Sequence, residues 1–166
     1  MTGLERNADV VYQATYAPLF AHVEGWQWRP DLIWFDNLRS VRSVNWYVQM
    51  LYGTNKGTNV LNLTENGLPV EGKDGLYASA VWDKPMKKYI VKIANTSDQP
   101  QQVTLSFRGA KIAGQAQVTT LHADDPRAVN TLDKPNNVVP QQSSVDVNGN
   151  ACTVTIPAKT FAVYRF

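Results

Sequence analysis

Apolar positions recur with two different periods along this chain, and the change of period divides it. In residues 3–12, Leu4, Ala8 and Val11 fall at i, i+4 and i+7, the spacing of one helical face. The stretch 12–23 (YQATYAPLFAHV) reads as extended, because Pro18 forbids a helix interior and biases Ala17 toward β geometry. Gly25 and Pro30 bracket a loop that carries Trp26, Gln27 and Trp28. DLIWF at 31–35 is a short apolar run, buried if it is a strand. Helical periodicity returns over 44–52 through Val44, Val48, Met50 and Leu51, with Gly53 or Gly57 placed to end the helix. A strand, a loop and an amphipathic helix in this order predict the closing unit of an α/β domain.

Beyond Gly57-Thr58 the pattern shortens to strand-like runs separated by turn residues, with no convincing helix. LYASAVW at 76–82 and KYIVKIAN at 88–95 are joined by Asp83-Lys84-Pro85. VTLSFRG at 103–109 alternates cleanly, with Val103, Leu105 and Phe107 expected inward, and QVTTL at 117–121 follows. SVDV, the Asn148-Gly149 pair and ACTVTI predict a hairpin, since Asn-Gly suits a turn whose two central residues take positive φ. TFAVYRF at 160–166 closes the chain as a final strand, and the polar stretch 122–142 is a long connection. Strands at this spacing without helices predict an antiparallel β-sandwich of jelly-roll type, so the chain is expected to be mainly β.

The aromatic residues change this picture at the N-terminal end. Trp26, Trp28, Trp34 and Trp46, of 5 tryptophans in the chain, lie in the first 49 residues with Tyr12, Tyr16, Phe20, Phe35 and Tyr47. Each such ring can bury about 150–250 Å². A segment of about 60 residues buries only about 60% of its surface, too little to enclose them all. The stretch is thus either a small domain with an aromatic core or part of a larger domain whose remainder supplies the cover. The second reading is preferred, and Met1-Thr2-Gly3-Leu4, with no capping residue before the helical pattern, accords with it.

Composition narrows the function classes. A hydrophobic content of 43% with 18% charged residues belongs to a folded chain. The 16 basic and 14 acidic residues are scattered, which provides no clustered basic face for nucleic acid. No apolar run reaches the roughly 18 residues of a membrane span. His22 and His122 are far apart and Cys152 is alone, so neither a zinc site nor an internal disulfide is expected. The glycines of Gly53–Thr58 have the wrong spacing for a phosphate loop, and no G-x-S-x-G elbow occurs, so no metal and no cofactor is expected. Sugars, however, present flat C–H faces to aromatic rings and hydroxyls to fixed polar groups. Trp26, Trp28, Asp31 and Asp36 are close enough in sequence to supply both, although an aromatic core with solvated acids beside it would carry the same pattern.

The runs GLERNADVV, YAPLFAHV, W-x-PDLIWFDN and NWYVQ, in that order and spacing, resemble the α-L-arabinofuranosidases of glycoside hydrolase family 51. The resemblance continues through GLYASAVWDK and VKIANTSD to the closing TFAVYRF. It departs at Arg42-Ser43-Val44-Asn45-Trp46-Tyr47, where the family commonly has Gly-Thr-Pro-Ser/Asn-Tyr-Tyr. It implies a catalytic (β/α)₈ barrel followed by a C-terminal β-sandwich, with residues 1–58 the end of the barrel and 59–166 the sandwich. It also implies hydrolysis of terminal α-L-arabinofuranosides with retention, which needs two carboxyl groups about 5–5.5 Å apart. In the family these are glutamates on the fourth and seventh barrel strands, before residue 1. Neither Glu5 nor Glu24 matches either motif, so no catalytic residue is expected here and the chain alone should be inactive. Barrel sites lie in the loops after the strands. Trp28, where the family carries a tryptophan, and its neighbours Trp26 and Asp31 are the residues expected to line the arabinose pocket.

The implied partners are the upstream barrel of the same parent chain and an arabinose-containing polysaccharide or oligosaccharide, with no nucleic acid and no membrane. The resemblance favours a periplasmic or extracellular parent. A competing reading makes the sandwich a carbohydrate-binding module. Such modules display exposed aromatics, whereas residues 59–166 offer only Trp82 and a few Tyr and Phe, most at alternating core positions. A structural brace for the barrel fits that pattern better.

Overall fold

A computed structural model describes residues 1–110, 112 and 114–166. The principal sheet has six strands: β4 (Asn59–Leu61), β7 (Leu76–Asp83), β8 (Lys88–Asn95), β10 (Gly114–His122), β11 (Gln141–Val147) and β13 (Thr160–Arg165). They lie in the order β11-β10-β13-β8-β7-β4, and every adjacent pair is antiparallel. A two-stranded sheet of β9 (Gln101–Ser106) and β12 (Ala151–Ile156) faces it. A small ribbon of β5 (Thr64–Glu65) and β6 (Leu68–Pro69) stands apart. The mainly β, antiparallel sandwich read from the sequence is present.

Between the sheets Ala78, Ala80, Val91, Ile93, Ala162 and Tyr164 meet Cys152, Val154 and Ile156, with Val103, Leu105 and Phe107 packed alongside. Strand β9 alternates as expected because its other face is exposed. Strands β7 and β8 read instead as nearly continuous apolar runs, since both of their faces are covered. The second face packs Val81, Ile90 and Val163 against Leu51 of helix α2 (Val44–Thr54). That helix begins at Ser43, whose Oγ accepts a hydrogen bond from the Trp46 N–H at 3.2 Å, an ordinary N-cap. It ends at Asn55, and Gly57 then carries the chain across β7 with φ of 65°. A Cβ at Gly57 would sit 2.6 Å from Val81 Cγ2.

Two expectations change. The helix expected over 3–12 is only Thr2–Arg6 (α1), and its docked side is polar: Glu5 meets Ser79 and Lys92, while Leu4 is exposed. The Asn7 side chain donates to Gly3 O at 2.8 Å and helps to stop the helix there. The predicted Asn148-Gly149 hairpin is a corner between sheets, since β11 pairs with β10 and β12 pairs with β9. Only Gly149 of that pair takes positive φ, and a single Asn148–Ala151 bridge links the two strands. The stretches 12–23 and 31–35, read as extended and as a strand, contribute β1 (Phe20–His22) and β2 (Ile33–Phe35) to a three-stranded sheet completed by β3 (Ser40–Arg42). In it β1 and β2 are parallel and β2 and β3 antiparallel.

Candidate functional site

Asp31 lies two residues before β2, and backbone bonds fix the two residues that follow it. Ile33 N–H donates to Leu19 O at 3.0 Å, and Ser43 N–H donates to Leu32 O at 2.9 Å. The residue is 1% exposed, yet neither carboxylate oxygen has a hydrogen-bond partner among the described residues. An unpaired buried carboxylate is costly, so such a group calls for an explanation from function. It lines a cavity of about 480 Å³, a volume usual for small-molecule sites.

Three parts of the chain wall that cavity. Trp34 comes from β2 and Arg29 and Arg39 from the connections before and after it, Ser43 and Asn45 from the start of α2, and 128–133 from the long connection of the sandwich. The Arg29 guanidinium lies 4.4 Å from the Trp26 ring centroid and 5.0 Å from that of Trp34. Arg39 pairs with Asp36 at 2.9 Å and with Asp133 at 3.2 Å. The Leu38 and Arg39 N–H groups, and then the Arg39 side chain, hold the Asp36 carboxyl below its ordinary value. Asp36 is therefore engaged in the β2–β3 turn and is no free ligand.

The sequence-predicted residues separate. Asp31 lines the cavity with its carboxylate oxygens buried. Trp26 is 43% exposed and reaches the wall through Trp34, edge-on at 5.9 Å. Trp28 is 58% exposed and does not line the cavity. Neither ring belongs to a core, which removes the aromatic-core reading for both. Sequence reasoning missed Trp34, Ser43, Asn45 and the 128–133 wall. Trp34 looked like a strand residue, and the wall looked like ordinary polar connection. Neither Glu5 nor Glu24 lines the cavity.

A second cavity of about 390 Å³ lies between α2 and the end of β10. Its polar side chains are already paired: His122 with Asp124, Lys159 with Asp98, and Asn95 with backbone carbonyls. Among the described residues no three His, Cys, Asp or Glu side chains gather as a metal site requires. No helix of the described residues is long and apolar enough to cross a membrane.

The sequence profile of the α-L-arabinofuranosidase C-terminal domain matches residues 1–160. The chain belongs to that family. A probable α-L-arabinofuranosidase A of Aspergillus flavus is 34% identical over 98% of the chain, which corresponds to 25% of that protein. An extracellular exo-α-L-arabinofuranosidase of Streptomyces chartreusis is 57% identical over 61 residues, 37% of this chain and 7% of that one. Among solved structures, an arabinose-bound family 51 α-L-arabinofuranosidase superimposes with a TM-score of 0.85 at 32% identity, over 99% of this chain and 26% of the other. A family 51 enzyme from Bifidobacterium longum shares the fold, with a TM-score of 0.73 at 22% identity over 99% of this chain and 32% of that one. This α-L-arabinofuranosidase C-terminal domain thus spans about a quarter of the length of the curated relatives it matches.

Proposed function

We propose that the chain is the C-terminal part of a retaining α-L-arabinofuranosidase, with Asp31 as a ligand of the arabinofuranosyl ring. The observation that carries this reading is a buried carboxylate, without a hydrogen-bond partner among the described residues, on a residue that lines a cavity. A carboxylate accepts hydrogen bonds only, and a sugar offers several hydroxyl donors at close spacing. Trp26, which packs edge-on against the wall residue Trp34, and the exposed Trp28 offer ring faces to the C–H faces of a saccharide that extends beyond the cavity. Residues 1–58 close the parent's barrel and 59–166 brace it from outside. The acid/base and nucleophile carboxyls come from the barrel, so the isolated chain hydrolyses nothing. The exposed apolar side chains of the first twenty residues, among them Leu4, Val10, Tyr12, Leu19 and Phe20, accord with a covering partner of that kind.

Asp31→Asn in the full-length enzyme tests this. It keeps the shape and removes a buried, unpaired charge, so the melting temperature should hold or rise. At the same time kcat/KM on arabinofuranosides should fall at least tenfold. A destabilised variant with unaltered kinetics per folded molecule would make Asp31 structural and sink the assignment.

A further inference from the structure

The Asp31 cavity is walled by both halves of the chain, and the sandwich's share is built with care. Asn130 is 6% exposed and acts as a two-sided clamp. Its Nδ2 donates to Arg42 O and to Val138 O, each at 3.0 Å, and its Oδ1 accepts from Val138 N–H at 2.7 Å. The first of these bonds ties the connection to β3. Asn137 Nδ2 donates to Val129 O at 3.1 Å, and Arg39 reaches across to Asp133. These bonds fix the backbone of 128–133 without using the Val129 side chain. That side chain is 56% exposed although apolar, and it lines the cavity together with Leu132.

We infer that segment 128–133 is the specificity-determining wall for the group attached to the arabinose, so that the sandwich takes part in substrate selection. The inference rests on the reading of Asp31 as the sugar ligand. The cavity is roomier than a single pentose ring needs, and Asp31 occupies its buried side. A ring seated on Asp31 leaves space for a second sugar unit against the 128–133 wall. Val129 and Leu132 present apolar surface there for its C–H face, while Thr131 and Asp133 present oxygens for its hydroxyls. The partner class is a neutral oligosaccharide aglycone.

The test compares two substrates in the full-length enzyme: methyl α-L-arabinofuranoside, with a one-carbon aglycone, and a linear arabinotriose. Val129→Trp fills the wall and Val129→Ala recedes it. Melting curves accompany both, because the side chain bears no hydrogen bond and folding should survive. The Trp variant should shift the ratio of the two kcat/KM values at least tenfold against arabinotriose, and the Ala variant should shift it by less. A parallel change on both substrates, or no change on either, would overturn the inference while leaving the Asp31 reading intact. A wild-type enzyme inert on both substrates, or an Asp31→Asn variant with wild-type rates, would instead remove the proposed function and this inference with it.

Discussion

Replacing Glu5 by Gln should destabilise the protein far more than a change on a five-residue helix ordinarily would. Lys92 lies in the covered second face of β8 and its side chain is 0% exposed, while that of Glu5 is 11% exposed. The Lys92 ammonium is bonded to Glu5 Oε1 and donates to Asn55 O at 2.6 Å, and Ser79 Oγ donates to Glu5 Oε2 at 2.6 Å. Breaking a buried pair by removing one partner costs about 3–5 kcal/mol, because the other charge stays behind uncompensated. Gln can still accept from Lys92 through its carbonyl oxygen and donate its amide N–H to Ser79 Oγ, so the lower end, about 3 kcal/mol, is expected. At about 2–4 °C per kcal/mol for a chain of this size, the melting temperature should drop by about 6–12 °C. Glu5→Leu combined with Lys92→Met should return to within about 1 kcal/mol of the wild type, since both charges leave together. Burial pushes the Lys92 ammonium below its ordinary value and Arg165 adds to this, while Glu5 holds it up. Its folded value is thus below the unfolded one, so between the two the unfolded chain binds the extra proton and stability rises with pH. Without Glu5 that window widens, and the deficit of Glu5→Gln should shrink as pH climbs toward 10.5. Urea melts at pH 7 and pH 10 measure both effects. A deficit under about 1 kcal/mol at pH 7, or one that grows with pH, would refute the reasoning.

Two further outcomes follow from exposure. Trp28→Ala in the full-length enzyme should leave the melting temperature within about 2 °C, because exposed positions contribute little, while lowering kcat/KM on arabinofuranosides. A stability loss of core size, about 3–5 kcal/mol for a buried Trp, would contradict the 58% exposure found for this ring. Cys152 is 4% exposed and burial pushes its thiol up, so a thiol reagent at neutral pH should label it only as the protein unfolds. Labelling of the native protein at the rate of a free thiol would show that the space between the sheets is open.

The sandwich was legible because its signals are local. Strand runs at 76–82 and 88–95 became β7 and β8, and the periodicity over 44–52 became α2, extended to Thr54. Of the site, Asp31 was nameable beforehand, but its character was not. A carboxylate beside tryptophans can be solvated, paired or orphaned, and only burial with partner geometry distinguishes these. Asp31 and Asp36 stand five positions apart in similar aromatic surroundings, yet one is buried without a partner among the described residues and the other closes a turn.

The sequence by itself determined the long strands of the sandwich, helix α2 and the family they spell. Backbone preference and side-chain period act within a few residues and need no knowledge of the partner. The tertiary structure alone decided the pairing of those segments. SVDV and ACTVTI carry a hairpin signal at their junction, yet each joins a different sheet, because Val147 and Cys152 cover the shared core from opposite sides. The apolar stripe of the first helix pointed to a docked face that the fold leaves in solvent, since Lys92, buried on the sheet, selects the acidic side instead. The cavity wall depends on Asn130 reaching Arg42 across 88 positions and Arg39 reaching Asp133 across 94. Contacts at such separation leave no local pattern to read, because they are selected by the packing of the whole and not by the neighbours of either residue.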